Sequence, residues 1–375
     1  MQSRERILVL GAGVVGLTTA LVLRRRGFKV RVLADRFAPN ITSVVAGALW
    51  EWPPAVCGHR HKLERSKRWA EASYRIYSEL AADPTTGAFV RPVTFYFKRR
   101  LADDPFQHNK MVELADRVRG FRHDAALIAE HGIGPRQELA DAYQHLAPMI
   151  DTDVYLRWLL ASVNEAGCTI ETRTLSAPLV DQEAKLLEEF GAAAIVNCTG
   201  FGARELGDAT VYPLRGALIR IRNDGRTMPR IAQAHCVSHD GVSRDPGFVF
   251  IVPRGDDRLI LGGLAEPHES SLDIGLKNYE PIREMFRRCV EFLPILKNAE
   301  IDAVEPVRVG LRPSREEGVR LEWEGDRTLH NYGHGGSGVT YSWGCAQDVA
   351  NLIEQRLNSG RSSWEGEVPA EPCRH

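Results

Sequence analysis

Two glycine clusters and one carboxylate have the types and spacing to do chemistry. Gly11, Gly13 and Gly16 form G-x-G-x-x-G in the run GAGVVG, directly after an apolar stretch and at the mouth of a helical pattern. The first glycine permits a tight turn, the second lets a pyrophosphate reach the backbone, and the third lets helix and strand pack closely. A diphosphate there faces the free N–H groups of Ala12, Val14 and Val15 and the positive end of the helix dipole. Asp35 closes the next apolar run, where a carboxylate accepts ribose hydroxyls and repels a 2′-phosphate. The second cluster, HNYGHGGSGVTYSWG at 330–344, packs five glycines and two histidines into one stretch before a helical pattern. Backbone stripped of side chains in this way points to a flat group lying against it. The first fingerprint alone does not separate NAD from FAD.

The elements that must hold these residues are legible in outline. RILVL (6–10) reads as a buried parallel strand, followed by a helix to about Arg26, a stop at Gly27, and a second strand in FKVRVLAD. Helical patterns cover 61–82 and 106–131, with strand character at 88–98. Residues 151–167 form an amphipathic helix with Asp151 as N-cap. CTIETRTL and AAAIVNCTG (192–200) read as strands. From about 210 to 265, short alternating runs split by turns predict an antiparallel sheet. A helix near 278–292, a strand-like stretch over 299–314, a charged turn, a strand in LHNYG and a last helix near 338–358 complete the chain. The fold class is therefore α/β. A Rossmann-like nucleotide-binding domain (1–60, 145–205 and 300–360) carries an inserted α+β domain (61–144 and 206–299) with a largely antiparallel sheet, and 361–375 form a loose tail.

Composition narrows the function. The 375 residues suffice for two domains, and a net charge of −1 gives no field to hold nucleic acid or an anionic membrane. No stretch reaches the length of an apolar membrane span, and the terminal CRH differs from a peroxisomal SKL, so the cytoplasm is the expected location. The seven cysteines are odd in number and form no C-x-x-C pair, which points to reduced, mostly buried thiols. His59 and His61 share no helix face, and no metal site is expected.

Three stretches together resemble the D-amino-acid oxidase family of FAD enzymes: VLADRFAPNITSVVAGALW (32–50), VGLRPSREEGVRLE (309–322) and HNYGHGGSGVTYSWGCA (330–346). VNCTG (196–200) is similar to the family's second cofactor-side strand. The resemblance implies a non-covalent FAD and an oxidation of D-amino acids. Hydride passes from Cα to flavin N5, dioxygen reoxidises the flavin to give hydrogen peroxide, and the imine hydrolyses to a 2-oxo acid and ammonia. It also implies that Asp35 and Arg36 sit at the adenosine end and that Thr42 and Ser43 lie near the diphosphate. Gly47, Ala48, Leu49 and Trp50 pass the flavin, Leu175 meets the adenine side, and Gly200 lies at the cofactor edge. Gly335, Gly336, Ser337, Gly338, Val339 and Thr340 fall where the family lays backbone against the isoalloxazine ring. His330 and His334 are read as holding this loop.

By the same resemblance, Arg312 clamps the substrate carboxylate. Bidentate pairing explains arginine over lysine. Gly336 offers a carbonyl to the substrate amine. No side chain is assigned as acid or base, because catalysis rests on orientation and electrostatics. Arg315 is read as structural. Phe250 stands where well-known members carry a tyrosine, and Pro246 where another would be, so a phenolic donor to the carboxylate is missing. Arg244, in the polar run 233–247, is a candidate second cation that would favour acidic substrates. D-aspartate, glycine or sarcosine oxidation is therefore an alternative. A non-catalytic nucleotide-binding protein and a nicotinamide-dependent dehydrogenase are readings from other classes. The expected partners are a small D-amino acid and dioxygen, with homodimerisation left open.

Overall fold

The structure, a computed structural model, describes residues 5–54, 63–237 and 248–362. Two sheets organise it. The smaller contains β1 (Arg6–Leu10), β2 (Lys29–Ala34), β6 (Thr169–Thr172), β7 (Ala194–Asn197), β14 (Arg320–Glu324) and β15 (Thr328–Tyr332), in the order 14-15-7-1-2-6. From β15 to β6 every neighbour is parallel, and β14 closes one edge as an antiparallel hairpin partner of β15. The turn of this hairpin holds Gly325, at φ +62 with open space around it.

Alternation of side chains along β1 explains the layering. Ile7 and Val9 face a core formed with α1 (Val14–Arg25), α5 (Thr152–Glu165) and α8 (Gly338–Ser362). Leu8 and Leu10 face the other way, onto Leu179, Leu186, Leu187 and Phe190 of α6 (Leu179–Phe190). A strand covered on both faces must be apolar throughout, as RILVL is from its second residue onward. α2 (Leu63–Leu80) crosses α8 so closely that a Cβ on Gly344 would stand 2.3 Å from the Trp69 Cα.

The larger sheet has nine strands: β3 (Ala88–Phe97), β4 (Arg122–His123), β5 (Asp141–Ile150), β8 (Val211–Arg222), β9 (Ala234–Val237), β10 (Val249–Arg254), β11 (Arg258–Gly262), β12 (Glu266–Pro267) and β13 (Val307–Arg315). All its pairings are antiparallel except β3 with β9. One face packs on α7 (Glu280–Phe292) through Ile219, Ile251, Leu261, Met285 and Phe292. The register lines up the opposite face in a single row: Arg308, Leu218, Gly262, Phe250, Cys236, Phe95 and Tyr143.

The architecture is the α/β arrangement that the sequence predicts, and four details differ from it. The helix expected over 106–131 is α3 (Pro105–Ala115), capped by Asp104, followed by β4 and the short α4 (Leu127–Glu130). The charged DRVRG run after Ala115 offers no apolar face, and Gly120 turns the chain at φ +65. β5, α6 and β14 are additional elements. β5 and β13 run with the larger sheet, although 145–205 and 300–360 were expected to accompany the nucleotide-binding strands. The strand expected over 299–314 begins only at Val307.

Candidate active site

The glycine clusters and Asp35 converge because they follow neighbouring parallel strands. GAGVVG leaves β1, Asp35 leaves β2, Gly200 lies just past β7, and 333–338 leave β15. Strand order reverses beside β1, with β2 on one side and β7 on the other, which opens a crevice at the carboxyl ends. Gly11 has φ +103, and a Cβ there would stand 2.5 Å from the Cys198 carbonyl oxygen. On Gly16 it would meet the Gly11 oxygen at 2.0 Å. The loop therefore folds only without side chains at these positions. Gly13 caps α1 with no side-chain hydrogen bond. Val14 N–H donates to Ser43 Oγ at 3.0 Å, and the N–H groups of Ala12, Gly13 and Val15 have no acceptor among the described residues.

The start of α8 lies beside the start of α1: the Cβ position of Gly338 is 3.9 Å from the Val15 side chain. Two positive helix ends thus share one crevice, the arrangement that suits a diphosphate and electron-rich oxygens. Gly335 adopts φ +51, Gly336 is exposed, and Ser337, Val339 and Thr340 are buried behind it. Asp35 and Arg36 pair at 3.0 Å on the surface after β2. The chain beyond β6 continues along the same edge, since Arg173 N–H donates to the Ala34 carbonyl at 2.8 Å, and this brings Leu175 to the end where Asp35 lies.

The segment 42–50 links this crevice to the larger sheet. Thr42 and Ser43 lie in a single 3-10 turn (Thr42–Val45), and Ala48 is held at φ +51, a left-handed conformation unusual for a residue with a Cβ. Trp50 anchors the segment through its N–H to the Pro148 carbonyl at 2.9 Å and its Nε1 to the Ala70 carbonyl at 2.8 Å. The N–H groups of Gly47, Ala48 and Leu49 have no acceptor among the described residues. Phe250 meets this segment: a Cβ on Gly47 would stand 2.7 Å from its ring.

Arg312 lies on the same face of the larger sheet as Phe250. A Cβ on Gly216 would stand 2.3–2.4 Å from Nη1, Cζ and Nη2 of Arg312. Equal distances to three atoms of the planar group mean that the guanidinium lies flat over the Gly216 backbone. Nη1 donates to the Leu264 carbonyl at 3.2 Å, which fixes its rotation. Gly216 was missed in the sequence, although a glycine inside the strand pattern YPLRGALIRIR is itself a sign of close approach. Arg244 and Pro246 lie outside the described residues.

His330 and Arg315 are each held by a carboxylate partner. His330 Nε2 lies 2.7 Å from Glu324 Oε2 across the hairpin. Burial lowers its pKa. His334 is buried, burial takes its pKa to about 4, and its Nε2 has no hydrogen-bond partner among the described residues. It is therefore neutral at physiological pH. Arg315 is buried against Asp208 at 3.1 Å, and its side chain fills the space where a Gly333 Cβ would go. Five of the cysteines, Cys168, Cys198, Cys236, Cys289 and Cys345, are free and buried. Among the described residues no helix is long and apolar enough to cross a membrane.

This donor set fits FAD. The α1 start, where the N–H groups of Ala12, Gly13 and Val15 meet no acceptor among the described residues, suits the diphosphate, and the glycines at 335, 336 and 338 leave room for a flat ring system. The His334 Nε2 beside these glycines is a further buried polar atom with no hydrogen-bond partner among the described residues. Comparison with known proteins agrees. The family described as FAD dependent oxidoreductase (DAO) matches residues 6–352. A D-amino-acid oxidase of Rubrobacter xylanophilus is 36% identical over 360 residues, covering 94% of this chain and 97% of the relative. A D-aspartate oxidase of Homo sapiens is 29% identical over 374 residues, covering 95% and 97%. Among solved structures, glycine oxidase from Geobacillus kaustophilus superimposes with a TM-score of 0.73 at 18% identity, covering 94% of this chain and 95% of that one. With two helix starts, bare backbone and a family match that agree along nearly the whole chain, the protein belongs to the DAO family of FAD-dependent oxidoreductases.

Proposed function

We propose that the protein oxidises D-amino acids to imines, which hydrolyse to 2-oxo acids and ammonia, with dioxygen as the final electron acceptor and hydrogen peroxide as product. The observation that carries this reading is the flat guanidinium of Arg312 over Gly216, on the sheet face whose Phe250 meets the 47–50 segment. Relatives named D-amino-acid oxidase support the substrate class. FAD, when bound, supplies a two-electron acceptor that dioxygen can regenerate.

The chain's own part is orientation. Arg312 binds the substrate carboxylate through two parallel N–H donors and so fixes the α-carbon. Exposed Gly336 offers its carbonyl to the amine. Phe250 and Gly47 exclude water from one side of the reacting centre. Asp35, Arg36 and Leu175 hold the adenosine end, while Thr42, Ser43 and the Gly11–Gly16 loop hold the diphosphate. Backbone at Gly200 and from Gly335 to Thr340 supports the ring. No side chain acts as acid or base. The smaller sheet with α1 and α8 forms the FAD-binding unit, and the larger sheet forms the substrate unit.

Anaerobic mixing with a panel of D-amino acids tests the proposal. The yellow colour of the bound flavin should bleach with the wild type and persist with Arg312→Ala. Persistent colour with every D-amino acid would refute it. The panel includes D-aspartate, glycine and sarcosine, because the Phe250 ring offers no phenolic donor to a carboxylate. If D-aspartate alone bleaches the protein, Arg244 becomes the second cation and Arg244→Ala should remove the preference. A cytoplasmic location accords with the free thiols, and size-exclusion chromatography would settle whether the protein dimerises.

A further inference from the structure

Arg254 has no role in the reading above. It ends β10, and its guanidinium is buried against the segment that leads into residues 47–50. Nη1 donates to Thr152 Oγ1 at 2.6 Å, and Nη2 donates to the carbonyls of Ala46 at 2.7 Å and Gly47 at 3.2 Å. Thr152, the first residue of α5, extends the clasp by donating to the Val44 carbonyl at 2.8 Å. Arg308, on the same sheet face, reaches that carbonyl at 3.3 Å and pairs with Asp153 at 3.0 Å. Three carbonyls of one short segment are thus taken by side chains from the larger sheet and from α5.

Burying a guanidinium is costly, and here its hydrogen bonds go to neutral oxygens. Burial lowers the Arg254 pKa to about 10, so the group stays charged at neutral pH. A hydrophobic side chain would fill the same space more cheaply, so the donors themselves explain the residue. In an extended strand, successive carbonyls alternate in direction. Here the carbonyls of residues 46 and 47 converge on one nitrogen. Because each trans peptide sets its N–H opposite its C=O, the N–H groups of Gly47 and Ala48 are turned together to the far side. Neither has an acceptor among the described residues. Consecutive N–H groups turned one way form a concave donor pair suited to an electron-rich edge.

We propose that Arg254 is a positioning residue for the cofactor, pinning the Ala46 and Gly47 carbonyls so that the N–H groups of Gly47 and Ala48 face the flavin edge. The inference rests on the placement of the flavin along residues 47–50 proposed above. Its test needs no amino-acid substrate, so it stands apart from the choice of substrate class.

Apoprotein is titrated with FAD, and the quenching of flavin fluorescence gives Kd. Arg254→Met should raise Kd at least tenfold. Arg254→Lys should fall between, since one ammonium cannot span both carbonyls with the same geometry. The gain in Tm on adding FAD should shrink in Arg254→Met. A Kd within twofold of wild type in folded Arg254→Met, or an undiminished gain in Tm, overturns the proposal. Should that variant fail to fold, Thr152→Val is titrated instead. A Kd raised threefold or more supports the clasp, and an unchanged Kd overturns it.

Discussion

At the scale of single residues, the site depends on what is missing as much as on what is present. Arg312 is held flat only because Gly216 has no side chain. If Arg312 binds the substrate carboxylate as proposed, Gly216→Ala is expected to raise KM for D-amino acids about tenfold without changing the Kd for FAD, by tilting the guanidinium. Arg312→Lys keeps the charge and loses the fork, and kcat/KM should fall about 100-fold in steady-state assays. Much of this was legible in the sequence. The G-x-G-x-x-G loop, Asp35 and the 333–338 glycines announce themselves because each spacing answers one packing demand. Arg254 was not legible: nothing in IVPRG tells a buried clasp from a surface cation, since its meaning lies in carbonyls roughly two hundred positions away.

At the scale of elements, legibility followed local patterning. The helix after Asp151 begins where its cap predicts, because Asp151 accepts from the N–H groups of Asp153 and Val154. β14 has the sequence pattern of a charged turn because its alternation, RLEWE, carries charges on its outer side; only pairing with β15 makes it a strand. α6 is hard to see in the sequence because its apolar stripe is spaced among acidic residues and is defined mainly by the sheet it covers. The α2–α8 crossing gives an element-scale prediction. Gly344→Ala would force a methyl to within 2.3 Å of the Trp69 Cα, backbone against backbone. The helices must separate, and urea denaturation should show a loss of about 3 kcal/mol. An unchanged midpoint would mean that the crossing yields easily.

At the scale of the whole molecule, buried histidines make stability depend on pH, three of them most strongly. Burial takes the pKa of His145 and His334 to about 4 and that of His235 to about 3. These folded values lie below the ordinary value of 6.5, so between roughly pH 6.5 and 4 the unfolded chain binds more protons. Stability therefore rises with pH through that window and is lost on acidification. Each histidine contributes a slope of up to about 1.4 kcal/mol per pH unit. Urea unfolding of the FAD-loaded protein at pH 7 and pH 5 should show this loss, and His235→Gln should flatten it. The carboxylates held low by hydrogen bonds, such as Glu324 beside His330, lose their contribution only at more acid pH. The two-sheet plan itself was legible from the alternation of apolar runs. The assignment of β5 and β13 to the larger sheet was not, because strand partnership is decided by edges that meet only in three dimensions.

The hairpin between β14 and β15 turns at the amino end of β15, whereas the glycine-rich loops gather at the opposite ends of the parallel strands. Gly325 there has no atom within 4 Å of its Cβ position, and the Asp326 side chain is 95% exposed. That corner is consequently a natural handle: an affinity peptide or an electrode tether spliced beside Asp326 would leave the enzyme standing with its working mouth turned outward.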